Sequence, residues 1–419
     1  MRILFLTNMY PPHDVGGYEQ ICQEVTDGLK GRGHEITILT SRFGVDPAGI
    51  TSQDGVSRTL HLQGTLNYYQ PVDFFLRRSS KEKFNLLKLQ KTIDEFRPDI
   101  VFVWGMWLLS LNLPYWIEQW MPGRIVYYIA SYWPMDEDPH TAYWRLPARR
   151  YITEQFKKPL RQLAFSRLRR EKYPPALLFN RTLCCSEYVR DKLVDAAKLP
   201  ASADVLHIGI DPKPFAEFSK KNKPAENETL HLIYFGRLIE DKGAHTAVEA
   251  VGLLKQRGFS DQIELTILGS GHPDYEARLH NLISEFGIAG QVKFIGKIPR
   301  EEIPSLLSKF DVFLFTSIWP EPFGRTIIEA MLAGLIVIGS DVGGSREIFN
   351  DYDNDLLFPA GDANALASRI TLLLDGAKDK QQLVQFGRKL ALEHFSLNNM
   401  IDGIEEYIFA TLKLNQKSS

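Results

Sequence analysis

Cysteine is nearly missing from this chain, with only Cys22, Cys184 and Cys185 among 419 residues. Cys184 and Cys185 are adjacent, and neighbouring cysteines rarely pair, so there is neither a disulfide framework nor a metal-ligand spacing. Reduced thiols are expected. Long apolar runs are missing as well, none approaching the roughly 20 residues that a spanning helix needs. The opening Met1-Arg-Ile-Leu-Phe-Leu-Thr-Asn8 is stopped by Asn8, two prolines, His13 and Asp14, too early for a secretory signal, and reads as a first strand. These absences point to the cytoplasm, with peripheral contact at the inner face of the membrane left open. A dominant charge of one sign is also lacking. The net charge is -2, which argues against general nucleic-acid binding. The balance is uneven, however. Residues 1–209 carry 27 Lys+Arg against 22 Asp+Glu, a balance of +5, and the remainder carries 22 against 29, or -7.

What is present is alternation. Ile3–Leu6 is a short apolar run, followed by a Pro/Gly-rich loop from Asn8 to Gly17, a helical pattern over Tyr18–Leu29 and a strand over Glu35–Thr40. The pattern continues with a helix over Glu82–Phe96, a strand over Ile100–Val103, a helix over Leu108–Trp120 and a strand over Ile125–Ile129. Tyr132–Pro175 is less regular. A strand at Leu183–Cys185 and a helix after Ser186 lead to Val205–Asp211, and Pro212–Glu228, rich in Lys, Pro, Asn and Glu, reads as a linker. Then strands recur at Leu230–Phe235, Ile263–Leu268, Val292–Ile295, Val312–Phe315 and Ile336–Ile338. Alternation of this kind predicts parallel sheets with helices on both faces, and the length predicts two such domains. The last helix, Asn398–Leu412, is expected to pack back on the first domain.

In open sheets of this class ligands sit beyond the carboxyl ends of the strands, and the unusual residues gather there. Ser317-Ile-Trp-Pro-Glu-Pro-Phe-Gly-Arg-Thr-Ile-Ile-Glu329 holds Glu321 between two prolines, which stiffen the loop. From Gly324 the run reads as a buried helix whose amides and positive dipole end lie beside Glu321, a setting for a diphosphate. Pro11-Pro-His-Asp-Val-Gly-Gly17 puts Gly16 and Gly17 at the start of the first helix, where backbone amides can approach a phosphate; a tight turn needing positive φ explains the pair equally well. Phe235-Gly-Arg-Leu-Ile-Glu-Asp-Lys-Gly243 supplies Arg237 and Lys242 to neutralise a diphosphate. Gly343-Gly-Ser-Arg-Glu347 again follows a strand. Leu268-Gly-Ser-Gly271 lacks the third glycine of a dinucleotide fingerprint and reads as a strand-end turn.

Together these segments resemble family four of the retaining, nucleotide-sugar-dependent glycosyltransferases of group 1, which have the GT-B fold: α/β, two facing Rossmann-like doubly wound domains, with a C-terminal helix crossing back to the first. The resemblance rests on Pro11-Pro with Gly16-Gly17, Gly236-Arg-Leu238 to Lys242-Gly243, Gly296-Lys-Ile-Pro299, Glu321-x7-Glu329 and Gly343-Gly344-x-x-Glu347. It implies an acceptor-binding domain over 1–209 joined by the helix 395–419, and a donor-binding domain over 210–394. By resemblance Glu321 contacts the donor sugar's hydroxyls, Glu329 the ribose, and Arg237 and Lys242 the diphosphate. Gly16, Gly17, Pro322, Phe323, Gly324 and Thr326 complete the donor cradle, and Ile298 meets the base. Glu321, Arg237 and Lys242 are the expected catalytic groups. The family needs neither metal nor other cofactor beyond the nucleoside diphosphate sugar, UDP- or GDP-linked.

Two departures stand out. Members often carry a histidine after the strand corresponding to Ile125–Ile129, and here the residues are Ala130-Ser131-Tyr132-Trp133. His140 is the candidate for that catalytic role; a loop histidine without it is the alternative. Where members often read Asn-Gly-Val-Asp, this chain has Ile208-Gly-Ile-Asp211. On the acceptor side, six of the seven tryptophans fall between Trp104 and Trp144, to stack on an acceptor or to pack a core. Arg145–Lys172 is dense in cations, including Arg149-Arg150, Lys157-Lys158 and Arg169-Arg170. Peripheral membrane contact through 104–172, an anionic acceptor site and a solvated basic face are all compatible with it. The expected activity is metal-independent transfer of a hexose, with retention, to a hydroxyl of a sugar, lipid-linked or small-molecule acceptor. A sugar-nucleotide epimerase of the same fold and a silent sugar-nucleotide-binding protein are the alternatives.

Overall fold

The computed structural model describes residues 1–13, 16–46, 52–66, 68–148, 150–218 and 229–418. Arg149, residues 14 and 15 of the first loop and residues 219–228 of the expected linker lie outside the described residues. The chain forms two compact units. The first comprises Met1–Cys185, Val189–Leu206 and Ile401–Ser419; the second comprises Ser186–Tyr188 and His207–Met400.

Unit 1 runs β1 (Arg2–Thr7), α1 (Gly17–Gly31), β2 (Glu35–Ser41), β3 (Ser52–Gln53), β4 (Val56–Leu60), α2 (Pro71–Leu76), α3 (Arg78–Phe96), β5 (Ile100–Gly105), α4 (Asn112–Trp120), β6 (Ile125–Ile129), α5 (Pro139–Arg145), α6 (Tyr151–Arg170), β7 (Thr182–Cys184), α7 (Glu187–Asp195, whose first two residues belong to unit 2) and β8 (Asp204–Val205). Its sheet has the order β3-β4-β2-β1-β5-β6-β7-β8 and is parallel except for β3 against β4. The central strands read as unbroken apolar runs because both faces are covered: every residue of β5 and β6 is buried. The β3–β4 hairpin has no apolar run to announce it. It turns on Asp54 and Gly55, both at positive φ, as its short two-residue connection requires. All three cysteines are buried thiols.

Unit 2 runs β9 (Leu230–Phe235), α8 (Ala244–Gln256), β10 (Ile263–Leu268), α9 (Pro273–Phe286), β11 (Val292–Gly296), α10 (Ile303–Leu307), β12 (Val312–Phe315), α11 (Arg325–Ala333), β13 (Ile336–Ser340), α12 (Ser345–Asn350), β14 (Leu357–Phe358), α13 (Ala363–Leu374), α14 (Lys380–His394) and α15 (Leu397–Ser418), whose later part belongs to unit 1. Its six strands are all parallel, in the order β11-β10-β9-β12-β13-β14. From β9 the chain first builds outward through β10 and β11, then returns to the other side of β9 with β12. The loops leaving β9 and β12 therefore diverge at a switch point, the place where such sheets leave a crevice. In unit 1 the same reversal falls between β1 and β5.

The expectation of two doubly wound α/β units is met, strand by strand, wherever an apolar run predicted one. The irregular stretch over Tyr132–Pro175 is instead two helices, α5 and the 20-residue α6. Pro159 inside α6 hid it, since proline removes a helical hydrogen bond and usually ends the pattern. Of the clustered tryptophans, Trp104, Trp133 and Trp144 are buried in the core, while Trp107, Trp116 and Trp120 are partly exposed.

Candidate functional site

The loops leaving β9 and β12 in unit 2 are laced together by backbone groups. The Asp241 carbonyl accepts from the Ile318 and Trp319 amides at 2.9 and 3.1 Å and from Ser317 Oγ at 3.1 Å, and Thr316 Oγ1 donates to the Lys242 carbonyl at 3.2 Å. Gly243 permits this closeness. Its φ is +67°, and a Cβ there would lie 1.9 Å from the Thr316 carbonyl oxygen. Gly343 plays the same part on the other side, at φ +56° with a Cβ position 2.2 Å from the Glu321 carbonyl oxygen, while the neighbouring Gly344 amide donates to that oxygen at 2.8 Å. The Gly343-Gly344 pair thus fixes the backbone of the Glu321 loop. Gly343→Ala is expected to destabilise unit 2 by about 2 kcal/mol or more through strain and clash. Gly290→Ala, where an added methyl would meet nothing within 4 Å, serves as the control expected to leave the thermal midpoint in place. Equal midpoints for the two variants would contradict this role. Glu347 does separate work, accepting from the Glu187 and Tyr188 amides at 3.0 and 2.9 Å and lying 3.1 Å from His207 Nε2.

On this frame the charged groups converge. Glu321 Oε1 accepts from Lys242 Nζ and, at 2.7 Å, from Ser317 Oγ. Four residues on, α11 begins at Arg325 after Gly324, and no side chain of that N-cap residue closes its N-terminus. The first-turn amides and the positive end of the helix dipole therefore lie within a few residues of Glu321, an environment that favours an anion. Arg237 sits on the same β9 loop and is exposed. Pro322 and Thr326 are half-buried, and Ile298 is half-buried in the turn after β11. Phe323 is buried, its ring stacked on His207 at 5.0 Å and edge-on to Phe395 at 5.5 Å, so its side chain anchors the loop.

Glu329 is more constrained than its motif implied. Its side chain is only 5% exposed, and Oε1 accepts from Arg300 Nη2 at 2.8 Å and Arg325 Nε at 2.9 Å. Two guanidiniums hold one carboxylate. Arg325 is the i,i+4 neighbour of Glu329 and was readable from spacing. Arg300 lies 29 residues earlier, just past the Gly296-Lys-Ile-Pro299 turn, and only the fold brings it here.

Gly16, Gly17 and His140 belong to unit 1. Gly16 precedes α1 with extended backbone, φ -168°, so positive φ is not why it is glycine. Its amide donates to Glu19 Oε2 at 3.1 Å, which closes the start of the helix. His140 is buried at 3% exposure among Phe74, Trp144 and Tyr173, with Nδ1 2.8 Å from the Tyr69 hydroxyl. Burial, with the nearby Arg78, Arg167 and Lys81, pushes its pKa down to about 3. The ring is neutral at pH 7 and a weak proton acceptor. His140 also lines, with Gln63, Tyr69 and Arg78, a cavity of about 20 Å³, room for a water molecule rather than a sugar. Because the unfolded histidine titrates near 6.5, the unfolded chain takes up this proton first as pH falls. Stability is full above about pH 6.5 and declines below it by up to about 1.4 kcal/mol per pH unit. Replacing His140 with glutamine should flatten the pH 6.5 to 5 limb of the stability profile relative to wild type; an unchanged limb would contradict the burial reading.

Comparison with known proteins shows the family to which the chain belongs. The family signature described as Glycosyltransferase Family 4 matches residues 15–213, and that described as Glycosyl transferases group 1 matches residues 215–390. The chain belongs to glycosyltransferase family four. The amylovoran biosynthesis glycosyltransferase AmsK of Erwinia amylovora is 32% identical over 247 residues, 58% of this chain and 56% of its own length, so the chain spans about half of that relative. Among solved structures, sucrose-phosphate synthase from Thermosynechococcus elongatus aligns over 99% of both chains with a TM-score of 0.70 at 20% identity. HepE of Anabaena, solved in complex with UDP-glucose, aligns over 98% of this chain and 100% of its own with a TM-score of 0.66, also at 20% identity. At these identities the structural likenesses establish the fold, the GT-B fold of this family.

Proposed function

We propose that this protein is a retaining glycosyltransferase that moves a hexose from a nucleoside diphosphate sugar to an acceptor hydroxyl, in the cytoplasm and without a metal ion. The observation that carries the reading is the Lys242–Glu321 pair beside the uncapped start of α11. An ammonium and the positive end of a helix dipole suit a diphosphate, and a carboxylate held between Lys242 and Ser317 suits sugar hydroxyls. When the donor enters, Lys242 turns part of its charge from Glu321 to the phosphates. Arg237 adds a second, exposed cation. Glu329, already fixed by Arg300 and Arg325, meets the ribose hydroxyls without reorganising, as a preorganised site should.

In the step itself the bond between the anomeric carbon and the phosphate oxygen breaks, and the acceptor oxygen bonds to the same face of that carbon. The departing phosphate takes the acceptor's proton, so no side-chain base is needed and His140 is assigned no proton transfer. The negative charge that grows on the diphosphate is met by Lys242, Arg237 and the α11 amides. UDP-glucose is the first donor to try, since HepE of the same fold was solved with it. Incubation of the protein with UDP- and GDP-hexoses and an acceptor mixture in EDTA, read by mass spectrometry and by the anomeric proton coupling of the product, should give an acceptor heavier by one hexose with the donor's configuration. Sugar isomerised without any acceptor would identify an epimerase instead, and a product formed only after metal is restored would refute metal independence.

A further inference from the structure

Helix α6 of unit 1 is built the wrong way round for a helix that meets only water. Its inner face is accounted for: Ala164 and Leu168 are buried in a cluster with Phe74, Trp144 and Tyr173. Lys157 points inward too, donating to the Tyr143 and Leu146 carbonyls at 2.7 and 2.8 Å. Arg161 donates to the Trp144 carbonyl at 2.6 Å and pairs with Glu154. The opposite face is apolar. Ile152, Phe156, Leu160 and Leu163 recur at the spacing that aligns side chains along one stripe, and they are 72%, 72%, 44% and 55% exposed. Arg167 Nη1 binds the carbonyls of Phe74 and Phe75 at 3.3 and 3.1 Å and so holds α2 beside α6, and α2 exposes Val72 and Leu76. An exposed apolar stripe of this kind marks an interaction surface.

The charges around it say what it meets. Residues 145–172 contain ten Lys and Arg but only two acids, Glu154 and Glu171. Both acids are engaged internally, Glu154 with Arg161 and Glu171 with Arg78 and Arg167. Arg150, Lys158, Arg169, Arg170 and Lys172 are exposed. A second copy of this chain would bring like charge against like. An anionic bilayer surface supplies both the apolar layer for the stripe and the opposite charge for its cations.

We propose that α6, with the exposed edge of α2, is a peripheral docking surface for membranes containing anionic lipid, the stripe entering the interface and Lys158, Arg169 and Arg170 meeting the headgroups. No helix among the described residues is long and apolar enough to cross a membrane. The docking is separate from the glycosyl-transfer reading, because it needs neither donor nor acceptor.

Flotation of the full chain with phosphatidylcholine vesicles, with and without phosphatidylserine, tests it. Wild type should float with the anionic vesicles, stay behind with pure phosphatidylcholine, and be released as salt is raised. Lys158→Gln/Arg169→Gln/Arg170→Gln should lower partitioning on the order of a hundredfold, at roughly fivefold per cation. Ile152→Ser/Phe156→Ser should abolish flotation while keeping the wild-type thermal midpoint, since both side chains are exposed. Wild type that fails to float, variants that float as wild type does, or a dimer of wild type dispersed by Ile152→Ser/Phe156→Ser in sedimentation would each overturn the proposal.

Discussion

Lys242→Ala should lower turnover by on the order of 10²- to 10³-fold, the usual loss when one preorganised group facing a developing anion is removed. The effect has two sources that a second substitution separates. One is the missing ammonium at the leaving diphosphate. The other is Glu321, whose carboxylate keeps only Ser317 of its two side-chain donors and is left as an uncompensated negative charge beside an anion site. Repulsion from Glu321 weakens donor binding; loss of the ammonium slows the chemical step. Lys242→Ala/Glu321→Gln should therefore recover much of the donor affinity and none of the turnover, a non-additivity that a double-mutant cycle reads directly. Additive losses in both quantities would show that Lys242 and Glu321 act independently.

Glu329→Ala has the second large effect, and it reaches both binding and stability. The carboxylate is nearly sealed from water and is the partner of Arg300 and Arg325, whose side chains are 40% and 10% exposed. Removing it takes away the carboxylate that both guanidiniums share, and breaking a buried pair from one side costs about 3–5 kcal/mol. The thermal midpoint of unit 2 should fall by several degrees. Donor affinity should fall on the order of 10²- to 10⁴-fold if two ribose hydroxyls lose a charged acceptor, at about 1.5–3 kcal/mol each. Glu329→Gln keeps the shape and separates the two losses, weakening the donor while sparing part of the stability. A variant that loses stability but binds donor as tightly as wild type would make Glu329 a structural residue only.

How far residues could be read before the fold was known depended on the range of the interaction. β1, β9 and their neighbours were legible because strands buried on both faces must be apolar throughout. Glu321, Lys242 and Arg237 stood out because prolines, glycines and strand ends frame them locally. Arg300 did not: an exposed-looking arginine after a turn gives no sign that it clamps a carboxylate 29 residues away. Nor does a serine at the head of a proline-rich loop announce that its hydroxyl holds Glu321, as that of Ser317 does. The β3–β4 hairpin was hidden by its polar strands, and α6 by Pro159 and by an apolar face turned outward. From its place in the sequence His140 is the candidate for the missing histidine's catalytic role, with a loop histidine lacking that role as the alternative. The fold encloses it among aromatic rings, which no local pattern could announce.

The most direct measurement is equilibrium binding of UDP- and GDP-hexoses to the wild-type protein and to Glu329→Gln, in EDTA and without acceptor. One nucleoside diphosphate sugar should bind wild type saturably, with heat or fluorescence change, and bind the variant at least tenfold more weakly. Wild type that binds none of them, or a variant that binds the same sugar nucleotide equally well, would contradict a donor site built on Glu321, Lys242 and Glu329.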